Sequence, residues 1–258
     1  MDGAKAKIKW AIQHIAELDV AINDFLNPAD RPKPYSIVHK RNPETGQIIY
    51  YLATQTSVPN EISMLAGDIL QNLRTALDYA VYALAVANGH TPTSQTSFPI
   101  FDHALTSPDD YSIFCRKVCL AGSKTVDYIL KTKPYKGGND VLWRLHALNI
   151  RDKHRLLLVA GLAVSDINVG QHFRATREIN GAVFGGWVPI QHPWILRNVG
   201  QEILVDPPDV KVNENIEFKF AITFDEPGVA EGEPMKVIVG QSLDWVTGIV
   251  YDLAKFMP

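Results

Sequence analysis

Residues 216–224 constrain the fold more tightly than any other stretch. Ile216, Phe218, Phe220, Ile222 and Phe224 alternate strictly with Glu217, Lys219, Ala221 and Thr223. Successive side chains of a strand point to opposite faces, so this pattern makes a half-buried strand with one apolar face to cover. The first 160 residues follow the other period. Ile8, Ile12, Ile15, Leu18, Ile22 and Phe25 recur at spacings of three and four, as do Ile62, Leu65, Ile69, Leu73, Ala76, Ala80 and Leu84. That spacing makes one helical face apolar. A chain whose main period changes near Gly161 is expected to be α+β.

Helices are predicted at residues 4–26, 61–88, 108–120, 123–132 and 140–159. SIVHKR and QIIYYLAT flank Asn42–Gly46 and predict a hairpin within 36–55. Short strands are predicted at Val164–Val169, His172–Ile179, Ala182–Val188 and Lys236–Val239, and a closing helix at 242–257. A lone hairpin is too small to be stable, so it is expected to join the C-terminal strands. The expectation is one α+β unit, 1–258, with N-terminal, central and C-terminal helices as a bundle packed with one antiparallel sheet. Its helical part covers about 1–160 and its strand-rich part about 162–240.

No apolar run approaches the roughly 20 residues that span a bilayer, and the N-terminus lacks the continuous apolar core of a signal peptide. The cytoplasm is the expected location, with no membrane partner. Cys115 and Cys119 are the two cysteines. Four apart on a helix, they are expected as buried thiols, with no disulfide scaffold and no cysteine-rich zinc site. Net charge is −3, but Lys131–Arg155 holds seven Lys/Arg against two Asp, and Glu202–Glu233 holds nine Asp/Glu against two Lys. The basic stretch suits an anionic partner.

Two segments concentrate polar residues on faces that should be buried. In GDILQNLRTALDY, Asp68 and Asn72 border the apolar stripe, while Arg74 and Asp78 are spaced as an i,i+4 ion pair on the polar side. In WRLHALNIRDKHRLLLV, His146, Asn149 and Lys153 share the face marked by Leu142, Leu145, Leu156 and Leu157, with Asp152 at its edge. Buried polar groups need partners. The two helices are therefore expected to pack together, Asp68 and Asn72 facing Asn149 and Lys153, with Lys153 as counter-ion of Asp68. The catalytic candidates are His154 as general acid or base and Arg151 or Arg155 as anion stabilisers. No phosphate-binding glycine loop, HExxH or GxSxG is present, and the histidines lack metal-ligand spacing. No cofactor and no metal are expected.

Gly67-Asp68, Asn72-Leu-Arg74, Ala76-Leu-Asp78, then Leu148-Asn149 and Asp152-Lys-His-Arg-Leu156 resemble a family of uncharacterised bacterial proteins. That family shares GDxxxNLRxALD and LNxxDKHRxLL helices, and the likeness is strongest over residues 5–160. A weaker similarity is to HEPN helical domains, many of which cleave RNA with Arg and His separated by four to six residues. Arg151 and His154 are separated by two. Three readings follow: a non-enzymatic interaction or oligomerising module with a homo-oligomer as partner, an RNA- or nucleotide-binding bundle with ribonuclease activity, and a small-molecule binder or hydrolase with a pocket between bundle and sheet.

Overall fold

A computed structural model describes residues 1–155, 158, 160–168, 186–206 and 216–257. The helices are α1 (Asp2–Leu26), α2 (Asn60–Ala87), α3 (Pro108–Val118), α4 (Ser123–Lys131), α5 (Asp140–Arg155) and α6 (Met235–Ala254). The strands are β1 (Tyr35–Arg41), β2 (Ile48–Gln55), β3 (Ala160–Asn168), β4 (Trp187–Leu196), β5 (Glu202–Asp206) and β6 (Phe218–Phe224). Two compact units are distinguishable: Met1–Asp19 with Ser63–Leu158 and Lys236–Pro258, and Val20–Ile62 with Val159–Met235.

The first unit is helical, and α2 supplies much of its core. Ala66, Ile69, Leu70, Leu73, Ala76, Leu77, Ala80, Val81 and Leu84 are all fully buried. An apolar stripe this wide belongs to a helix covered on several sides rather than one lying on a surface. Leu142, Leu145 and Leu148 of α5 and Val246, Val250 and Leu253 of α6 are buried as well. A capping box starts α3: Ser107 accepts from the Asp110 amide, and the Asp110 carboxylate accepts from the Ser107 amide. The Ser107 and Thr106 amides hold the Asp110 carboxyl far below the usual carboxylate range, with the Ser107 hydroxyl and His103 adding to the effect.

The second unit holds two three-stranded antiparallel sheets, ordered β1-β2-β5 and β4-β3-β6. Aromatic rings join them: Tyr35 of β1 packs on Phe220, and Tyr50 of β2 meets Phe218 edge-on.

The α+β class is as the two periods dictate, but the strands form two sheets where one was expected. The hairpin does pair with a later strand, β5, while β6 joins β3. Alternation identifies a strand without naming its neighbour. Residues 236–239, expected as a strand, open α6, so the closing helix begins at Met235. Met235, Ile238 and Val239 are buried at helical spacing, and a four-residue apolar run fits either period. The strand expected at 172–179 lies outside the described residues, as does most of 182–188. Cys115 and Cys119 are free and exposed rather than buried. Phe114 and Val118 take the buried face of α3, turning the cysteines outward. Among the described residues, no helix is long and apolar enough to cross a membrane.

Candidate functional site

The two motif helices pack on each other. A Cβ built on Gly67 of α2 would stand 2.5 Å from Oδ1 of Asp152 on α5. At one end of the seam a carboxylate therefore rests on a glycine. At the other end, Nε of Arg74 donates to Nδ1 of His146 at 3.4 Å. Gly67 faces Asp152 and Arg74 faces His146, so the helices run antiparallel for about two turns.

The Arg74 end is a closed polar clamp. Arg74 is only 7% exposed. Its Nη1 donates to Asp78 Oδ1 at 2.5 Å and its Nη2 to the Phe98 carbonyl at 2.8 Å. Asp78 Oδ1 also accepts from the Phe98 amide at 2.9 Å. The i,i+4 pair expected on the polar side thus lies largely buried and holds both backbone groups of Phe98. Phe98 opens the run FPIFD, residues 98–102, which is tied further along. Phe101 exchanges backbone bonds with Pro134 and Lys136, and Trp143 Nε1 donates to Asp102 at 2.9 Å. Lys136 lies 4.5 Å from the centre of the Trp143 ring, a cation–π contact. Phe98 and Asp102 of this loop and Trp143 of α5 are not among the residues nominated from the sequence; the available signals were the run FPIFD and the Trp that opens WRLHALNIRDKHRLLLV.

His146 is held as the neutral base. Burial pushes its pKa down to about 4, Arg74 adds to this, and Asp102 opposes it. Accepting from Arg74 at Nδ1 leaves the imidazole proton on Nε2. A histidine neutral far below pH 7 is a poor general acid there.

The Gly67 end is arranged differently. Asp152 is half-buried, and its carboxyl is raised by burial first and then by the negative charge of Asp68. No ion pair joins Lys153 to Asp68 among the described residues. Lys153 is exposed, and its charge acts on Asp152 instead, opposing the rise that burial and Asp68 cause. Asn72 also departs from expectation. Its Oδ1 accepts from Lys7 of α1 at 3.0 Å and its Nδ2 donates to the Asp68 carbonyl at 2.8 Å, so it serves the α1 side of α2. Asn149 does enter the seam. It lies three residues from both His146 and Asp152, roughly 60° from each around α5. Since both of those touch α2, Asn149 faces α2 squarely. It is 3% exposed, and its Oδ1 has no hydrogen-bond partner among the described residues. Gln71 Oε1 on α2 is orphaned in the same way, while its Nε2 donates to Thr75. Gln71 was not nominated; its position four after Gly67 was the available signal.

Arg151 is half-buried on α5. The side chains of the other two catalytic candidates, His154 and Arg155, lie outside the described residues. No group of three or more His, Cys, Asp or Glu is placed to hold a metal ion among the described residues. No family model, curated protein or solved structure matches this chain.

Proposed function

We propose that the protein is a non-enzymatic interaction module that pairs with a second copy of itself through the outer face of α2. One observation carries this reading. Tyr79, Tyr82 and Val86 stand 47%, 50% and 51% exposed, spaced i, i+3, i+7, on a helix whose other faces are buried. Beside them runs a shallow groove of about 400 Å³ floored by Gly3, Ala4 and Ala83. Tyrosines offer large area at little entropic cost and are enriched in interface cores. A face holding both aromatic ridges and a small-residue groove suits a two-fold contact, where one patch must complement itself. The clamp supports the same reading, because the Arg74 guanidinium, Asp78 Oδ1 and His146 Nδ1 are engaged with one another and with Phe98.

Sedimentation velocity of the full chain tests this. The parent should dimerise, and Tyr82→Glu combined with Tyr79→Glu should sediment as a monomer with unchanged circular dichroism. A parent that stays monomeric up to about 100 μM, a concentration at which even a weak specific dimer forms, would end the proposal.

One further observation favours the nucleotide-binding alternative. The second unit contains a cavity of about 730 Å³ lined by Lys33, Tyr35, Trp187, Phe218, Lys219 and Phe220. Lysines beside aromatic faces suit a base and its phosphates. Quenching of tryptophan fluorescence by a mononucleotide, lost in Trp187→Ala, would support it, and no quenching would count against it.

A further inference from the structure

We propose that the seam between α2 and α5 binds one hard divalent cation, Mg²⁺ or Ca²⁺, through the carboxylates of Asp68 and Asp152 and the amide oxygens of Gln71 and Asn149. Three independent features converge on this seam. The first is charge. Asp68 is close enough for its charge to raise the Asp152 carboxyl, and no described residue hydrogen-bonds or ion-pairs with either carboxylate. The charge of exposed Lys153 acts on Asp152 in the opposite sense and offsets part of that rise. Two carboxylates drawn together repel, and Lys153 forms no ion pair with either among the described residues, so a bound cation would relieve a repulsion that Lys153 only partly offsets.

The second feature is the pair of orphan oxygens. Asn149 is 3% exposed, and its Oδ1 and the buried Oε1 of Gln71 lack a hydrogen-bond partner among the described residues. Buried amide oxygens without donors are rare and call for an explanation. Their placement supplies one. Gln71 lies within roughly 60° of both Gly67 and Arg74 around α2, so it shares the face that meets α5. Asp68, which is exposed, lies a further 60° or so round, at the rim of that face. Asn149 occupies the midpoint of α5 between its two contacts with α2. On antiparallel helices, position 71 therefore falls opposite position 149, with Asp68 and Asp152 one turn along.

The third feature is Gly67. The space a Cβ would fill is taken by the Asp152 carboxylate, with Oδ1, Cγ and Oδ2 at 2.5, 2.8 and 2.9 Å. Glycine lets that carboxylate lie down into the seam rather than extend to solvent, at the entropic cost glycine carries inside a helix.

The donor set is all oxygen, two anionic and two neutral. That is the chemistry of Mg²⁺ and Ca²⁺, with water completing the shell, and not of Zn²⁺ or Cu⁺, which favour sulfur and imidazole. A bound cation would neutralise the carboxylates, satisfy both amides and staple α2 to α5. This proposal does not depend on self-association.

The test uses the full chain after treatment with chelator, titrated with MgCl₂ or CaCl₂ by calorimetry and thermal melting, against KCl of matched ionic strength. One equivalent should bind. At a hundred times its dissociation constant it should raise Tm by roughly 5–10 °C. Asp152→Asn should melt no lower than the parent in chelator, because it removes repulsion, yet show no cation-dependent rise; Asp68→Asn should lose the rise too. If neither cation gives saturable heat or a shift beyond KCl, water satisfies the amides and the proposal is overturned. A full shift retained in Asp152→Asn would overturn it as well.

Discussion

The two ends of the α2–α5 seam use similar residue types and reach opposite states. At the Arg74 end, a guanidinium, a carboxylate, an imidazole and the backbone of Phe98 satisfy one another. Two turns away, two carboxylates and two amide oxygens share the same helices with no such closure. A buried arginine brings its own cluster of donors, so it can organise acceptors from a loop and a neighbouring helix at once. Carboxylates and amide oxygens only accept, and their donor must come from elsewhere. The closed end therefore belongs to folding, whereas the open end is available for a ligand.

Mutation should separate the ends sharply. Arg74→Ala strands the Asp78 carboxylate and the Phe98 carbonyl and should cost about 3–5 kcal/mol, as breaking a buried ion pair does. Chemical denaturation would measure this. A loss below about 1 kcal/mol, typical of a surface pair, would mean the two ends are not different in kind. In divalent-free buffer, Asp152→Asn should be neutral or mildly stabilising.

Acid sharpens the comparison. The folded state holds His146 near a pKa of about 4, against 6.5 for the free group. Below pH 6.5 the unfolded chain therefore takes up a proton that the folded chain refuses. Stability should fall as pH drops from about 6.5 to 4, by about 2–3 kcal/mol from this group. Asp152 has the opposite sign. Its raised carboxyl binds a proton more readily when folded, so acid relieves the open end. His146→Gln keeps an acceptor for Arg74 and should flatten the slope between pH 6.5 and 4. An unchanged slope would assign it to other groups.

How much of this was legible follows from what periodicity encodes. The phases of α2 and α5 were readable because Leu73, Ala76, Leu142 and Leu145 repeat at helical spacing, and those phases placed Asn149 on the buried face. The spacing within α2 puts Arg74 on the polar side of its helix, where a surface ion pair with Asp78 is the expectation. The FPIFD loop covers it, and no periodicity within α2 reveals a loop contributed from 20 or so residues later. Asn72 was turned toward the wrong neighbour for a related reason: Lys7, on the first helix, supplies its donor. The pairing of the strands was hidden because register and neighbour depend on side chains across the sheet. The cysteines erred through composition, since a pair of thiols suggests burial while Phe114 and Val118 had already claimed the inner face.

The smallest expected effect is the most specific to the open end. Replacing a glycine inside a helix with alanine ordinarily gains about 0.5–1 kcal/mol, because alanine loses less backbone freedom on folding. At Gly67 the new methyl would meet the Asp152 carboxylate at 2.5–2.9 Å, closer than carbon tolerates. Asp152 has a short side chain, so its carboxylate can retreat only by turning away from the seam or by pushing α5 outward. Gly67→Ala should therefore destabilise by about 1–2 kcal/mol, the range for overpacking. In an Asp152→Ala background the obstruction is gone, and the same substitution should stabilise by up to about 1 kcal/mol. The sign reversal is a coupling energy that no effect of helix propensity alone can produce. Urea denaturation of the four proteins in the cycle measures it. If Gly67→Ala stabilises both backgrounds equally, the carboxylate does not lie on Gly67, and the open end loses the contact that defines it.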